Sequence, residues 1–214
     1  MKKYQLLLIL LLAISPVFAQ DFYVETGKVA SNFDYKNSDG TKISIYQPTT
    51  TSYLAAGYKN KFFKERLEWN LGALYTGYGA IGSTSNQDYL EWNLNYFEFE
   101  LNLNIYLFQL KKASYYVKGG VSTGFMLSGT QTINTTVYDL QDMGQFSNAI
   151  TKFKGGLGVL YPVTNEVSLY LQYIYGKSIN VEQGTDETLR IVSNSIGIGI
   201  NINMASEKPK GRRF

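Results

Sequence analysis

The sequence predicts an all-β fold: an eight-stranded antiparallel up-and-down transmembrane β-barrel. Three observations predict it. Apolar residues recur at every second position in segment after segment, and helical spacing is hard to find. The links between those segments alternate between short and long. An export signal precedes them all.

The signal comes first. Residues 1–19 begin with Lys2 and Lys3, continue with an apolar run from Leu6 to Ile14, and end with Pro16, Val17 and Ala19, which fits cleavage before Gln20. That run falls short of the roughly 20 apolar residues of a spanning helix, and no later stretch reaches that length. No Cys follows it, so no lipid-anchored lipoprotein is expected. Residues 20–203 form the barrel, and residues 204–214 form a basic periplasmic tail.

Eight strands follow in order. Weak alternation runs through about Phe22–Ala30 and Tyr53–Lys61, with both faces left open. In the third strand Trp69, Leu71, Ala73 and Tyr75 oppose Glu68, Asn70, Gly72 and Thr76. In the fourth, Phe97, Phe99, Leu101, Leu103, Ile105 and Leu107 oppose Tyr96, Glu98, Glu100, Asn102, Asn104 and Tyr106. In the fifth, Val117, Val121, Phe125 and Leu127 oppose Lys118, Ser122, Gly124 and Ser128. The sixth sets Phe153, Leu157 and Val159 against Lys152, Lys154 and Gly156, and the seventh sets Leu169, Leu171, Tyr173 and Tyr175 against Tyr170 and Gln172. The last is the clearest, with Ile196, Ile198, Ile200 and Ile202 opposing Ser195, Gly197, Gly199 and Asn201.

Short links at about Phe62–Arg66, Gln109–Ala113 and Pro162–Glu166 read as periplasmic turns. Longer polar links at about Ser31–Thr51, Ala80–Asp88, Gly129–Ser147 and Ser178–Thr188 read as four extracellular loops. An even strand count then leaves both termini in the periplasm of a Gram-negative envelope. Aromatic girdles are expected from Trp69, Tyr115 and Tyr161 at the turn end and from Tyr75, Tyr173 and Tyr175 toward the loop end.

With this pattern the chain resembles the small eight-stranded outer-membrane β-barrel proteins of porin-family type, similar in plan to the OmpA and OmpX barrels. The segments YFEFELNLNIYLF, YYVKGGVSTGFMLSG, KFKGGLGVLYPVTNEVSLYLQYIYG and SIGIGINI carry the resemblance. It implies outer-membrane lipid and the barrel-assembly machinery as partners. In one respect the chain departs from the family: the last strand ends near Ile202, and Phe214 follows a basic stretch from Lys208 to Arg213.

An eight-stranded barrel is just wide enough for its own side chains to fill it, so a diffusion pore is not expected. The inward face carries Glu68, Glu98, Glu100, Lys118, Lys152 and Lys154, which must pair in a space where a lone charge is costly. A Glu and Lys network is the expectation. Strand glycines such as Gly72, Gly119, Gly156, Gly158, Gly197 and Gly199 read as room for neighbouring bulk.

Composition excludes much chemistry. The chain has no Cys and no His, so disulfides, thiolate or imidazole metal sites, Cys nucleophiles and His bases are absent. Barrel enzymes of the outer membrane resemble one another in using a catalytic His, which points away from an enzyme. No cofactor or metal is expected. Tyr35–Gly40 faintly resembles a calcium loop but lacks acidic ligands at its ends, and the Asn134–Thr136 sequon reads as a Thr-rich loop. Once Lys2 and Lys3 are removed the net charge falls from +3 to +1, too little for a nucleic-acid partner.

The leading expectation is a non-enzymatic integral outer-membrane barrel that supports the envelope or meets an extracellular or envelope protein partner through its loops. Ile133, Val137, Tyr138, Leu140 and Met143, in the Gly129–Ser147 loop, are the candidate contacts; packing over the barrel mouth is the alternative. Two other readings stay open: a soluble lipocalin-like barrel with a small apolar ligand, and a narrow small-solute channel. Which face is greasy decides between the first two.

Overall fold

A computed structural model describes residues 21–36, 38–43, 46–63, 66–83, 89–110, 112–141, 149–179 and 188–204. The expected export signal, the tail beyond Met204 and Met143 lie outside these residues. In chain order the strands are β1 (Asp21–Lys36), β2 (Lys42–Ile43), β3 (Gln47–Phe62), β4 (Leu67–Ser83), β5 (Tyr89–Gln109), β6 (Ser114–Ile133), β7 (Thr136–Asp139), β8 (Ile150–Pro162), β9 (Val167–Ser178) and β10 (Thr188–Asn203). The two-residue β2 pairs with the end of β1, and β7 folds back on β6.

The other eight close a ring. Each pairs antiparallel with its chain neighbours, and β1 pairs with β10 from Asp21↔Asn203 to Lys36↔Thr188, so the sheet has no open edge along the spanning region. Closure satisfies every ladder without water, which is the condition for crossing lipid. The register also sets the shape. From Asp21 the paired residues run through Lys59, Asn70, Asn102, Gly120, Lys154, Gly176 and Ser193, and return to β1 at Ser31, ten residues further along. Ten residues of stagger over eight strands corresponds to a strand tilt of about 40°.

Alternation assigns the two faces. On β5 the outward positions Phe97 to Leu107 are all apolar, while Glu98, Asn102, Asn104 and Tyr106 between them are buried. At that tilt these residues span about 25 Å, the height of a lipid-facing belt. Leu54, Leu71, Phe153, Leu157, Ile196 and Ile198 extend the belt around the ring, each more than half exposed. A water-soluble monomer rarely presents so continuous an apolar surface.

The three short connections all lie at the end where β1 starts and β10 stops. Leu110 N donates to Ala113 O at 2.8 Å in one turn, and Phe63 takes a left-handed φ of 49° in another. In the third, the Thr164 hydroxyl accepts from the backbone N–H groups of Glu166 and Val167.

At the opposite end the strands run further than expected. β1 continues to Lys36, β3 begins at Gln47, and β4 to β6 extend to Ser83, Tyr89 and Ile133, so much of the expected loop sequence is strand. The reason is physical. Above the belt both faces of a strand can be polar, so period-two hydrophobicity fades while backbone pairing persists. A bulge at Leu127, where Asn95 pairs with Ser128 and Tyr96 with Met126, also reverses the faces of upper β6. Ser128, expected inside, is exposed, and Gly129 is buried instead.

Candidate functional site

Two regions are candidates: the filled lumen and the wall above the belt. The lumen is built in tiers, each made by inward positions of several strands.

Nearest the short turns, the Glu68 carboxylate accepts from Asn104 Nδ2 at 2.8 Å and from the Tyr106 hydroxyl at 2.9 Å. Across from it Lys59 donates to Asn201 Oδ1 at 2.9 Å, with its ammonium 3.8 Å from the Tyr170 ring centroid and 4.7 Å from that of Tyr23. One tier up, Glu25 accepts from Tyr170 and from Gln172, each at 2.7 Å, and from the Tyr53 hydroxyl. Beside it Lys154 meets Glu100 at 2.7 Å, and the Tyr23 hydroxyl donates to the same carboxylate at 2.9 Å. Higher still, Lys152 and Glu98 pair at 2.8 Å, both essentially unexposed. The Tyr78 hydroxyl donates to Glu98, and its ring lies 3.8 Å from the Lys152 ammonium.

Above this polar stack the lumen turns apolar. Phe33, Tyr46 and Trp92 meet edge to face at centroid distances of 5.4–6.2 Å, over buried Ala80, Leu94 and Ile191. Between the tiers lies a cavity of about 40 Å³, lined by Glu25, Glu100, Lys118, Lys152 and Lys154 among others. That is room for a few water molecules and no more.

Inward glycines make this filling possible. A Cβ on Gly199 would lie 2.2 Å from the Tyr170 ring, one on Gly158 2.4 Å from Tyr116, and one on Gly72 2.1 Å from the Tyr23 hydroxyl. Each glycine therefore gives a tyrosine ring its seat against the wall. Gly119 faces outward and meets nothing, so the reading of room for bulk does not extend to it.

All six residues expected in the lumen point inward, yet only four form ion pairs. Glu98 pairs with Lys152 and Glu100 with Lys154. Glu68 is held by neutral donors, and Lys118 lines the cavity with no salt bridge among the described residues, which corrects the expectation of full charge pairing. Neutral amides and phenols take the place of counter-ions. Glu25 and Lys59 are the buried charges that sequence reasoning missed. Their signal was available: each stands at the second position of an alternation, but in the two strands whose faces were left open.

On the outside, Tyr75, Tyr115, Tyr161, Tyr173 and Tyr175 are exposed, and Trp69 is partly exposed. Tyr115 and Tyr161 lie beside the short turns. Tyr173 does not reach the upper rim. It pairs with Ile196 within the belt and sends its hydroxyl upward to Asn194 Oδ1 at 2.5 Å. Among the loop candidates, Val137 is 63% exposed and Tyr138 37%, Ile133 is half-buried, and Leu140 is fully buried with its N–H donated to Gly129 O. Leu140 is thus part of the mouth packing and offers no surface contact.

No protein-family profile and no curated protein matches this chain. Solved structures do. Neisserial surface protein A is 16% identical, with 85% of this chain and 96% of that one covered at a TM-score of 0.49. The outer membrane protease OmpT from Escherichia coli is 9% identical, with 86% and 96% covered at 0.48. The outer membrane protein OprG from Pseudomonas aeruginosa is 15% identical, with 86% and 97% covered at 0.44. At such identities and scores these likenesses carry no argument about activity or partners. The closed ladder, the apolar belt and the polar lumen define the class by themselves: this is a transmembrane β-barrel protein.

Proposed function

We propose that this chain is a non-enzymatic integral outer-membrane protein of a Gram-negative envelope, with a structural or surface-interaction role carried by its extracellular hairpins. The observation that carries the reading is the orientation of the faces. Val, Leu, Ile and Phe point out, while Glu, Lys, Asn and Tyr point in. A soluble ligand carrier of lipocalin type needs the opposite arrangement. A small-solute channel needs an open path, and here the tyrosine tiers and the mouth cluster of Phe33, Tyr46 and Trp92 fill it.

The export signal expected at residues 1–19 would deliver the chain to the periplasm, and the barrel-assembly machinery would insert it with both termini on that side. With the lumen filled, recognition falls to the walls and hairpins above the belt. The β6–β7 hairpin is the first place to look for a protein partner. It turns at Asn134, whose Oδ1 accepts from the backbone N–H of Tyr89 at 2.9 Å, and it presents Val137 and Tyr138 to solvent.

The test is electrophoretic mobility of the outer-membrane fraction with and without boiling. A folded barrel that shifts only on heating supports the reading. Recovery of the chain in the soluble periplasm, with no shift, would overturn it.

A further inference from the structure

We infer that the outer face of β9, β10 and β1, just above the apolar belt, binds the phosphoryl groups of a phosphorylated glycolipid in the surrounding outer leaflet. The inference rests on the outer-membrane reading above. Charge on the wall is lopsided. Outward positions on these three adjacent strands carry Lys28, Lys36, Lys177 and Arg190 against the single carboxylate Asp34. On β4, β5 and β6, the matching outward positions above the belt carry one charge among the described residues, Glu91. Among the described residues, the outward wall on one side of the barrel is therefore cationic by three, and on the other it is nearly neutral.

The cations are placed to meet an anion. Arg190 stands directly opposite Asp34 in the β1–β10 ladder, and Lys177 of β9 reaches across β10 to the Asp34 carboxylate at 2.8 Å. Among the described residues Lys177 pairs with Asp34, while Arg190 forms no salt bridge. Arg190 Nε is shielded from water and has no hydrogen-bond partner among the described residues. With Nε shielded, the terminal guanidinium nitrogens of this half-buried residue are the groups left to meet a phosphoryl oxygen. Lys28 gives its ammonium to a neutral hydroxyl, Ser52 Oγ at 2.9 Å, and has no salt bridge among the described residues.

Position selects a lipid as the source of the phosphate. The cluster faces sideways on the wall and continues directly from the belt: Tyr175 lies two residues below Lys177, and Ile196 lies on the strand of Arg190. A ligand with acyl chains against Ile196 and Tyr175 and a phosphorylated headgroup one tier higher matches both surfaces together. A free anion would gain nothing from the belt. A phospholipid of the other leaflet would meet the opposite rim.

The experiment uses the full chain folded into phosphatidylcholine nanodiscs doped with bisphosphorylated lipid A, dephosphorylated lipid A or phosphatidylglycerol, with bound lipid counted by native mass spectrometry. Expected is preferential retention of bisphosphorylated lipid A, reduced about thirty-fold in Lys177→Gln/Arg190→Gln, because each surface cation contributes about five-fold near an anionic leaflet. Glu91→Gln, on the opposite wall, should retain lipid A as the parent does. Equal retention of phosphatidylglycerol, equal retention of dephosphorylated lipid A, displacement by inorganic phosphate, or an unchanged double variant would each overturn the inference. A gel-mobility shift on heating, run on every sample, separates the two failures. A folded barrel that ignores lipid A sinks only this inference, whereas a chain that forms no heat-modifiable barrel sinks the reading beneath it.

Discussion

Removing one partner of the Lys152–Glu98 pair tests how dry the lumen is. The two groups lie 2.8 Å apart with side-chain exposures of 2% and 0%, the Tyr78 hydroxyl donates to the carboxylate, and the Tyr78 ring covers the ammonium. Lys152→Met keeps the volume and deletes the charge, which leaves Glu98 buried with one phenolic donor. Breaking a pair at that burial costs about 3–5 kcal/mol, whereas a solvent-screened pair is worth about 0–1 kcal/mol. Glu98→Leu should cost a similar amount, since it strands the ammonium over an aromatic ring. The double variant Lys152→Met/Glu98→Leu should fall within about 1–2 kcal/mol of the parent or exceed it, because apolar replacements of a buried pair carry no desolvation penalty. The measurement is a urea titration of the barrel in lipid vesicles, followed by cold-gel mobility and tryptophan emission. Single variants that cost under about 1 kcal/mol, with a double variant equal to their sum, would refute the reasoning and make the lumen a hydrated one.

Three further outcomes are expected. Ile198→Lys, at mid-belt, should lower stability in vesicles by about 2–4 kcal/mol, while Val137→Lys on the β6–β7 hairpin should stay within about 0.5 kcal/mol; equal effects would contradict the assigned belt. Gly199→Leu drives a side chain into the Tyr170 ring, already 2.2 Å from the Cβ position, and should cost about 1–3 kcal/mol, with Gly199→Leu/Tyr170→Ala costing less than the sum of the two single variants. The chain has two tryptophans, so Trp92→Phe and Trp69→Phe leave one reporter each. Lipids brominated on the acyl chains should quench Trp69, on the outward face of β4, and spare Trp92 in the mouth cluster; quenching of both alike would place the mouth inside the bilayer.

How much of this was legible in the sequence depends on where a residue sits relative to the lipid. Within the belt, physics imposes strict alternation, and there the reading from Tyr96 to Leu107 and from Val192 to Ile202 coincides with the faces of β5 and β10. Where outward residues leave lipid, the constraint disappears. Thr49–Ser52 and Asn32–Lys36 look like loop because nothing apolar marks their outward positions, yet their backbones belong to β3 and β1. Pairing partners in the lumen were the least legible part. Alternation says that Glu68 and Lys118 point inward, but which side chain each meets depends on stagger. A ten-residue stagger brings Glu25 of β1 to Tyr170 and Gln172 of β9, nearly 150 residues away in the chain. No local pattern encodes that distance.

The same stagger explains why the interior is tyrosine-rich rather than simply ionic. A ring of eight strands leaves a lumen about as wide as two facing side chains, so a carboxylate on one wall reaches the opposite wall only through a long partner. Tyrosine carries an O–H on a rigid ring at the distance needed: Tyr53, Tyr78 and Tyr106 donate to a glutamate on the adjacent strand, Tyr170 reaches Glu25 past β10, and Tyr23 crosses furthest, from β1 to Glu100 of β5. The ring needs a flat seat, which Gly72 and Gly199 supply for Tyr23 and Tyr170. Glycine opposite tyrosine, with glutamate within reach of the hydroxyl, is therefore one structural unit repeated through the lumen. Replacing Tyr170 with Phe removes the hydroxyl and keeps the ring, so it should destabilise the barrel by about 1–3 kcal/mol by taking one of the donors from the buried Glu25 carboxylate. Replacing Tyr170 with Ala should cost about 3–5 kcal/mol, since packing against Gly199 and the cover over Lys59 are lost as well. Equal losses in the two variants, measured by urea titration in vesicles, would show that the hydroxyl alone matters and that the ring's seat does not.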